Sequence, residues 1–438
     1  MAEKGTALKS AGRRLLRRGS RGAGAVARRK RLLGYLAILG PGMITANAGN
    51  DAGGIATFAS VGAEHGYRLL WILIPITISL GLVQEMCARM GAVTGKGLAD
   101  LIRERFGVRW TALVMLALLI ANGGVTVSEF VGIAAATELF DIPRFISVPI
   151  AAISIWWLIV KGSYKRVERV FLLMTLVFLG YVVSAFLAGP EWGTVAAELV
   201  RPRFSLDQAY LFTVVAIVGT TISPYMQVYV QSSVVEKGVT AEEYQRTRID
   251  VWVGTVFAIL IVFFIVVSTA ATLHRHGIQI NSAADAARAL RPLAGNYAEA
   301  LFGIGLFGAS MLAAGVLPLA TAYSVSEALG FEKGVSRSFR EAPTFIGIFT
   351  FLVAVGAAIA VIPNLPLIQV LLVTQVINGL LLPVILFAIL RLINNRELMG
   401  AYVNGRVYNI GAWLTAIIVT SLSLLLVLVT LFPKLFRS

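Results

Sequence analysis

Charged residues are scarce in this chain of 438 residues. Asp, Glu, Lys and Arg make up 14% of it, whereas soluble domains carry roughly 25%. Hydrophobic residues make up 57%. A composition this apolar excludes an ordinary soluble protein and places the chain in a lipid bilayer. Its apolar runs are continuous and do not alternate with polar residues, which argues against a transmembrane β-barrel.

Cysteine, histidine and enzyme motifs are also nearly absent. The single cysteine, Cys87, cannot form a disulfide within the chain, and we expect a packed small side chain there. The three histidines, His65, His274 and His276, all fall in predicted outer loops. We find no cleavable signal peptide, nucleotide-binding loop, zinc cluster or nucleophile motif. The sequence therefore gives no support to an ATPase, a hydrolase or another enzyme, and we expect no cofactor.

Eleven apolar runs are long enough to cross a bilayer, which takes about 20 residues. They lie at residues 32–62, 67–93, 110–139, 144–161, 165–188, 207–234, 250–273, 297–329, 344–362, 365–393 and 408–432. Several are long enough to tilt or to be interrupted. The sequence therefore predicts an all-α integral membrane protein with eleven spans.

Basic residues indicate how the chain is oriented. Residues 1–31 form a tail that carries eleven Lys and Arg residues and that we expect to be disordered. A basic run ahead of a span favours a cytoplasmic, lipid-facing anchor over nucleic-acid binding. The loops after the second, fourth, eighth and tenth spans are basic as well. We predict a multi-pass protein of the cell membrane, a monomer in the bilayer, with the N-terminus inside and the C-terminus outside.

The first span contains an interruption, "NAGNDAGGIAT" at 47–57. Asp51 lies there among Gly49, Gly53 and Gly54, residues that release the backbone from helical geometry. A mid-span aspartate costs roughly 2.5–3.5 kcal/mol on insertion scales. No Lys or Arg lies between Arg31 and Arg68 to pair with it locally. A helix cap is the alternative, but an intramembrane acid is read first as a functional site.

A second interruption lies in the sixth span, "GTTISPYMQVYVQSS" at 219–233, where Pro224 removes a backbone donor. Two broken spans, five apart, predict a LeuT-like inverted repeat with a midplane site. We place the first five-helix repeat at 32–188, the second at 207–393 and an additional helix at 408–432. Carbonyl groups exposed at the breaks, together with one carboxylate and amide oxygens, suit a hard cation.

Four motifs in order resemble the NRAMP family of divalent-metal transporters. "GPG" at 40–42 is followed, at the family's spacing, by "DAGG" at 51–54, where the family has Asp-Pro-Gly-Asn. "GYRLLW" at 66–71 and "ARMGAVTGKGLADLIRERFG" at 88–107 resemble its second helix and loop. "VTQVINGLLLP" at 373–383 and "NRELMGAYVNGR" at 395–406 resemble its tenth helix and exit loop. The similarity runs from about residue 32 to 410.

The resemblance implies a set of metal ligands. Asp51 matches the coordinating aspartate, Ala48 and Thr220 match carbonyl donors, and Gln375 matches a tenth-helix glutamine. Gln375 is equally well explained as a helix–helix hydrogen bond. Gly54 replaces the family's asparagine ligand.

The family's sixth-helix methionine ligand falls on Ser223 when the sequences are aligned on the proline. A one-residue shift brings Pro224 or Tyr225 to that position. Met226 is close enough that it too can turn inward, so the soft ligand is lost only under the first alignment.

These departures predict a harder and roomier site. Thioether ligands favour transition metals, whereas Mg²⁺ is held through one or two carboxylates and keeps several waters. We therefore expect a partly hydrated Mg²⁺, with Mn²⁺ also accepted, to bind at Asp51, Ala48, Gly54, Thr220, Ser223, Tyr225 and Gln375. The pattern resembles the prokaryotic NRAMP-related magnesium transporters.

The proton path of the family is largely missing. Thr126 stands at an aspartate position, Leu119 at a glutamate position, and Tyr225 or Met226 at a histidine position, while Glu129 is kept. A relay needs titratable groups in the membrane. We therefore predict weak or absent proton coupling, with Glu129 either a residual proton site or a buried acid bonded to Asn122 or to the backbone.

Other polar residues are assigned to the surroundings of the site or to structural roles. Asn47 and Asn50 replace the missing amide or cap a half-helix, and Gln227 is a polar residue of the sixth span. Arg340 resembles an inner-pathway arginine, although a positive-inside anchor explains it better. The main alternative function is a proton-coupled Mn²⁺/Fe²⁺ symporter. An amino-acid transporter and a membrane sensor fit less well, because Asp51 repels a carboxylate and the chain shows no large effector domain.

Overall fold

The computed structural model describes residues 40–278, 280, 296–363 and 367–432, and every regular element in these ranges is helical. The α-helices are α1 (Pro41–Ala48), α2 (Ala52–His65), α3 (Leu73–Thr94), α4 (Leu98–Phe106), α5 (Val108–Glu138), α6 (Arg144–Val160), α7 (Tyr164–Thr175), α8 (Leu179–Leu187), α9 (Trp192–Leu199), α10 (Gln208–Thr221), α11 (Pro224–Glu236), α12 (Tyr244–Thr272), α13 (Asn296–Leu329), α14 (Pro343–Ala360), α15 (Leu367–Ile393), α16 (Arg396–Met399) and α17 (Arg406–Leu431). Short 3₁₀ helices lie at Leu70–Ile72, Leu176–Phe178, His274–His276 and Gly400–Tyr402.

The described helices correspond to the eleven predicted spans, although residues 32–39 of the first span lie outside the described residues. Among the described residues, nine stretches are long and apolar enough to cross a membrane. The fourth span, α6, has 17 residues, at the lower end of the spanning range. The first span is divided into α1 and α2, and the sixth into α10 and α11. The predicted all-α fold with two broken spans is confirmed. The basic tail at 1–31 lies outside the described residues, and the repeat boundaries stay a prediction.

The outer surface of the bundle is apolar. Ile146, Ile150, Ile153 and Trp157 of α6 are 47–66% exposed and recur every three or four residues, so they share one face of the helix. Such a stripe suits contact with lipid. The two broken spans lie instead at the centre, since every residue of α1 is buried and α10 and α11 are almost wholly enclosed.

Glycines bring α1 directly against α12. A Cβ atom at Gly254 would lie 2.7 Å from the Cα of Met43 and 2.8 Å from the carbonyl oxygen of Gly42. A Cβ at Gly42 would lie 2.6 Å from the Cα of Val251. The two backbones therefore touch with no side chain between them, which is how small residues pack membrane helices closely. This contact fixes the half-helix α1 beside the seventh span.

Replacing Gly254 with alanine should therefore lower the melting temperature of the purified protein in detergent. The added methyl group meets backbone atoms that cannot rotate away, and overpacking of this kind costs about 1–3 kcal/mol. Gly347→Ala in α14 is the matched control, because no atom lies within 4 Å of its Cβ position and alanine favours the helix. Equal melting temperatures for the two variants would contradict the close α1–α12 contact.

Candidate functional site

The first break places a carboxylate at the start of a half-helix. Helix α1 ends at Ala48, and Asp51 is the N-cap of α2, with its Oδ1 accepting a 2.5 Å hydrogen bond from the Gly54 N–H. An aspartate is a preferred N-cap because it satisfies a backbone donor that has no partner within the helix. The side chain of Asp51 is fully buried. Asp51 is therefore both a helix cap and a buried carboxylate, the two roles that the sequence analysis gave as alternatives.

The second break ends α10 at Thr221 and starts α11 at Pro224, whose ring is well suited to the first helical position. The Ser223 hydroxyl donates to the carbonyl oxygens of Gly219 at 2.6 Å and Thr220 at 3.2 Å. It therefore donates to two carbonyl groups at the C-terminal end of α10. As a result, the Thr220 carbonyl predicted to face a cation is already contacted by a hydroxyl from the same break.

Hydrogen bonds join the two breaks. The Tyr225 hydroxyl donates to the Ala48 carbonyl at 2.8 Å, and the Thr220 hydroxyl donates to the Gly49 carbonyl at 3.5 Å. All of these residues are buried. The broken spans therefore meet at their gaps, as an inverted-repeat site requires. Tyr225 and Ala48, both predicted as ligands, contact each other.

The tenth span closes the site from another side. The Gln375 amide Nε2 donates to Asp51 Oδ1 at 3.2 Å and Oδ2 at 3.4 Å. Its Oε1 accepts from the Asn378 amide at 3.3 Å. The structure thus places Gln375 beside the carboxylate, in the helix–helix hydrogen bond given above as one explanation. Asn378 was missed, although three residues along a helix is the spacing that brings side chains together.

Oxygen atoms from both breaks converge on Gly54. A Cβ atom there would lie 2.6 Å from the Gly49 carbonyl oxygen, 2.8 Å from the Thr220 hydroxyl and 3.2 Å from Asp51 Oδ1. Three oxygens of different kinds therefore pack directly against the backbone of Gly54, where no side chain would fit. In the described residues no group of three or more His, Cys, Asp or Glu side chains is placed to hold a metal. The site offers a cation one carboxylate and neutral oxygen dipoles.

A sulfur atom also reaches the breaks. A Cβ at Gly49 would lie 3.1 Å from the Met226 Sδ and 3.3 Å from the Thr220 carbonyl oxygen. Met226 is fully buried. The inward turn of Met226, which the sequence left open, is the one observed, so a soft donor remains next to the oxygen cluster.

Glu129 of α5 lies at the same helix start as Asp51. Its Oε2 accepts a 3.0 Å hydrogen bond from the Ala52 N–H, and its Oε1 accepts from the Ser128 hydroxyl at 3.4 Å. Asn122 bonds instead to the Thr321 hydroxyl at 2.9 Å. Of the partners considered above, the backbone is the one present. Two carboxylates thus face the N-terminus of α2, where the helix dipole favours negative charge.

The remaining predicted residues lie around the breaks or far from them. Asn47 donates to the Met43 carbonyl at 2.8 Å within α1, and Asn50 donates to the Ala258 carbonyl of α12 at 3.1 Å. Gln227 donates to the Ser223 carbonyl at 3.4 Å. Arg340 is exposed, between α13 and α14. The first three support the breaks, whereas Arg340 belongs to a loop.

One acid that the sequence analysis missed holds α1. Asp250 of α12 accepts hydrogen bonds from the N–H groups of Gly40 at 2.9 Å, Gly42 at 2.7 Å and Met43 at 3.2 Å. It is 1% exposed. The only sign in the sequence is an acid at the edge of an apolar run, "TRIDVWVG". Its three backbone partners are some 210 residues away in sequence, so spacing alone does not reveal them.

A cavity of about 540 Å³ lies between α2 and α10, on the side of the breaks opposite α1. Thr57, Ser60 and Glu64 of α2 line it together with Asp207 and Thr213. Thr57 follows Asp51 by six residues, or about 9 Å along a helix. The polar cavity therefore ends less than two helical turns from Asp51, which is itself fully buried.

Comparisons with known proteins agree with this geometry. The family described as "Natural resistance-associated macrophage protein-like", or Nramp, matches residues 42–429. The divalent metal cation transporter MntH of Ralstonia nicotianae is 29% identical over 418 residues, which cover 90% of each chain. A manganese transporter structure from Eremococcus coleocola has a TM-score of 0.72 at 21% identity and covers 89% of this chain and 86% of that one. Mhp1, a nucleobase-cation-symport-1 family transporter, has a TM-score of 0.56 at 17% identity and covers 91% and 92%. The two structural likenesses confirm the LeuT-like fold.

The contacts of Asp250 predict different effects for two substitutions. Asp250→Leu leaves three buried N–H groups of α1 without an acceptor, and each unsatisfied group costs about 1–3 kcal/mol. Asp250→Asn keeps one acceptor oxygen and should retain part of the stability. We expect melting temperatures in the order wild type, Asn, Leu. If the Leu variant melts like the wild type, Asp250 does not hold α1.

Proposed function

Because this chain belongs to the Nramp family and is a divalent metal cation transporter of the MntH kind, we propose that it imports Mg²⁺, and also Mn²⁺, across the cell membrane without moving protons. The ion binds partly hydrated at the two breaks, and alternating access carries it across. The names of the relatives refer to divalent metal and manganese and do not mention Mg²⁺. The choice of Mg²⁺ therefore rests on the donor atoms of this chain.

The observation that carries the proposal is the oxygen cluster at Gly54. The Asp51 carboxylate, the Thr220 hydroxyl and the Gly49 carbonyl all lie against Gly54, within 3.2 Å of where its Cβ atom would be. Mg²⁺ prefers oxygen ligands, uses one or two carboxylates and gives up its water reluctantly. Residue 54 supplies no side-chain ligand to the ion, so water takes that share of the coordination. Rotation of the Gln375 amide by half a turn would offer its oxygen to an ion at Asp51.

The surroundings of Glu129 support transport without proton coupling. Along α5 the next polar residues after Ser128 are Thr126 and Asn122, both neutral and engaged in hydrogen bonds within the bundle. His274 bonds to the Ala63 carbonyl at the end of α2 and His276 to the Thr272 carbonyl at the end of α12, both away from the breaks. Along α5 from Glu129 back to Asn122, a proton therefore meets no titratable group, and the acidic neighbour of Glu129 is Asp51 at the start of α2. The membrane potential alone favours inward movement of a divalent cation by about 4.6 kcal/mol per 100 mV.

The arrangement of charged loops supports an orientation with the N-terminus inside. Gly40, at the start of α1, lies beside the ion pair of Lys237 with Glu168, whose atoms are 2.7 Å apart. Lys333 pairs with Asp100 at 2.5 Å and so joins two other basic loops. Basic residues on cytoplasmic loops follow the positive-inside rule. In this orientation the cavity beside Thr57 opens to the outside.

The Met226 sulfur favours one second candidate, a proton-coupled Mn²⁺/Fe²⁺ symporter. A thioether beside the site selects transition metals over Mg²⁺. The pair of carboxylates at the start of α2, Asp51 and Glu129, would then be the proton-binding groups. The two candidates differ in their metal preference and in their effect on pH, and both are measurable.

Uptake into proteoliposomes tests the proposal. Wild-type protein should carry Mg²⁺ to an enclosed indicator, and Asp51→Asn should reduce uptake to that of protein-free liposomes. Asparagine keeps the N-cap to Gly54 and removes only the charge, so loss of uptake reports on the anion. Asp141→Asn, an exposed loop position, is the matched control and should transport normally. A pH indicator in parallel vesicles should record no metal-dependent acidification; saturation by Cd²⁺ with no Mg²⁺ uptake would refute the proposal and support the symporter.

Substitution of Met226 separates the oxygen donors from the sulfur donor. If Mg²⁺ binds through oxygen and water, Met226→Leu should leave Mg²⁺ uptake within about twofold while weakening competition by Cd²⁺ about tenfold. Met115→Leu, also buried but in α5, should change neither. Competition curves with Cd²⁺ and Mn²⁺ against Mg²⁺ uptake give the measurement. An equal loss for all three ions would mean that Met226 only packs the breaks.

A further inference from the structure

A groove of about 980 Å³ lies at the end of the bundle where the basic loops meet, away from the metal site. Arg105 comes from the end of α4, Arg391 from the end of α15 and Arg396 from α16. Trp413 of α17 and Phe387 of α15 form its apolar side. None of these residues takes part in the contacts of the two breaks.

The charges in this groove are poorly balanced. It contains three arginines and one acid, Glu397, whose Oε2 lies 4.0 Å from Arg105 Nη1, beyond hydrogen-bond distance. In the parts of the chain that the structure describes, no carboxylate pairs with Arg391 or Arg396. The Arg391 guanidinium lies 5.2 Å from the ring centre of Phe387, a contact that holds it toward the apolar side. The groove is therefore positively charged and partly ordered.

A hydrogen bond fixes the shape of the groove. Asn394 at the end of α15 donates to Asn409 of α17 at 2.8 Å and to the Leu390 carbonyl at 2.9 Å. This bond ties the two helices that bear the aromatic residues. Because these two helices are held together, Arg391 and Phe387 of α15 keep their position relative to Trp413 of α17.

The apolar side of the groove continues into the lipid-facing surface. Phe387 is 47% exposed and Trp413 37%, and beyond them Val384, Ile410 and Leu414 are exposed on the same two helices. Arginines at a helix end with aromatic residues toward the bilayer match the level of lipid headgroups. A molecule that fills both sides must carry a negative charge at one end and hydrocarbon at the other.

We propose that this groove binds an anionic phospholipid whose phosphodiester lies among the three arginines. Its acyl chains lie against Phe387 and Trp413. Guanidinium groups form paired hydrogen bonds with phosphate oxygens, which makes arginine the residue suited to this role. Basic pockets between spans on the cytoplasmic side are typical sites for such headgroups. The exposed aromatic side distinguishes a lipid from free phosphate, which has no use for it.

Quenching of Trp413 by lipid tests the proposal on the full chain. The protein is reconstituted with phosphatidylglycerol or phosphatidylcholine that carries the same brominated acyl chains, and Trp413→Phe supplies the background of the other six tryptophans. Phosphatidylglycerol should quench Trp413 at a lower mole fraction than phosphatidylcholine. Each arginine near the surface accounts for about a fivefold preference, the factor that corresponds to about 1 kcal/mol. The double variant Arg391→Gln/Arg396→Gln should abolish most of that preference.

Two controls keep the test decisive. Lys165→Gln/Arg166→Gln removes two exposed charges at the start of α7 and should leave the preference intact. Inorganic phosphate at millimolar concentration should not reverse the quenching; if it does, free phosphate is the ligand and the lipid assignment is wrong. Equal quenching by both lipids, or equal effects of the two double variants, would overturn the site. The readout does not depend on transport, so it stands or fails separately from the proposed function.

Discussion

An enclosed carboxylate in a lipid-spanning bundle is stable only if hydrogen bonds replace the water it has lost, and Asp51 depends on a donor from each side. One is the Gly54 N–H at the start of α2, and the other is the Gln375 amide of the tenth span. The first exists only because α1 stops at Ala48 and leaves the N-terminus of α2 without intrahelical acceptors. The break in the first span is thus what allows a carboxylate to be buried there. The second break stabilises the first, since the Tyr225 hydroxyl donates to the Ala48 carbonyl that the first break exposes.

A carboxylate accepts hydrogen bonds from backbone N–H groups at the start of both half-helices of the first span. Asp51 and Glu129 face the start of α2, and Asp250 faces the start of α1. Each carboxylate accepts from backbone N–H groups at the positive end of a helix dipole. Two of the three come from other spans, so α1 is fastened to the seventh span and α2 to the third. Any motion of α1 during alternating access must break or carry along the contacts with Asp250, whereas α2 can stay with the third span. This separation gives the two halves different freedom to move.

The sequence predicts the local features of this site and misses the distant ones. Glycines beside Asp51 and the ring of Pro224 act on their own backbone, so the breaks can be read directly from the residues. The eleven spans follow from length and hydropathy for the same reason. The partners of Asp250 and Glu129 cannot be found this way, because they lie on helices that only the packed bundle brings together. Ser223 shows a further limit, since its hydroxyl turns back to Gly219 in its own helix. Met226 shows a related limit. Its sulfur faces the breaks, but a shift of one residue along the helix would turn it away, and the sequence does not fix that register.

The selectivity of the site depends on which donors an ion can reach while it keeps its water. The oxygen cluster lies on the Gly54 side of the breaks, and the Met226 sulfur lies on the Gly49 side. A bare transition metal ion gains from contact with both, and it loses its water in exchange. Mg²⁺ gains little from sulfur and loses much by dehydration, so in the proposed function it is best served by the oxygen donors and by water in place of a ligand from residue 54. In the proposed function, the Asp51 carboxylate and the neutral dipoles beside it would bind such an ion without holding it too firmly for release. The absence of a side-chain ligand at Gly54 is therefore as much a part of the proposed ion preference as the groups that are present.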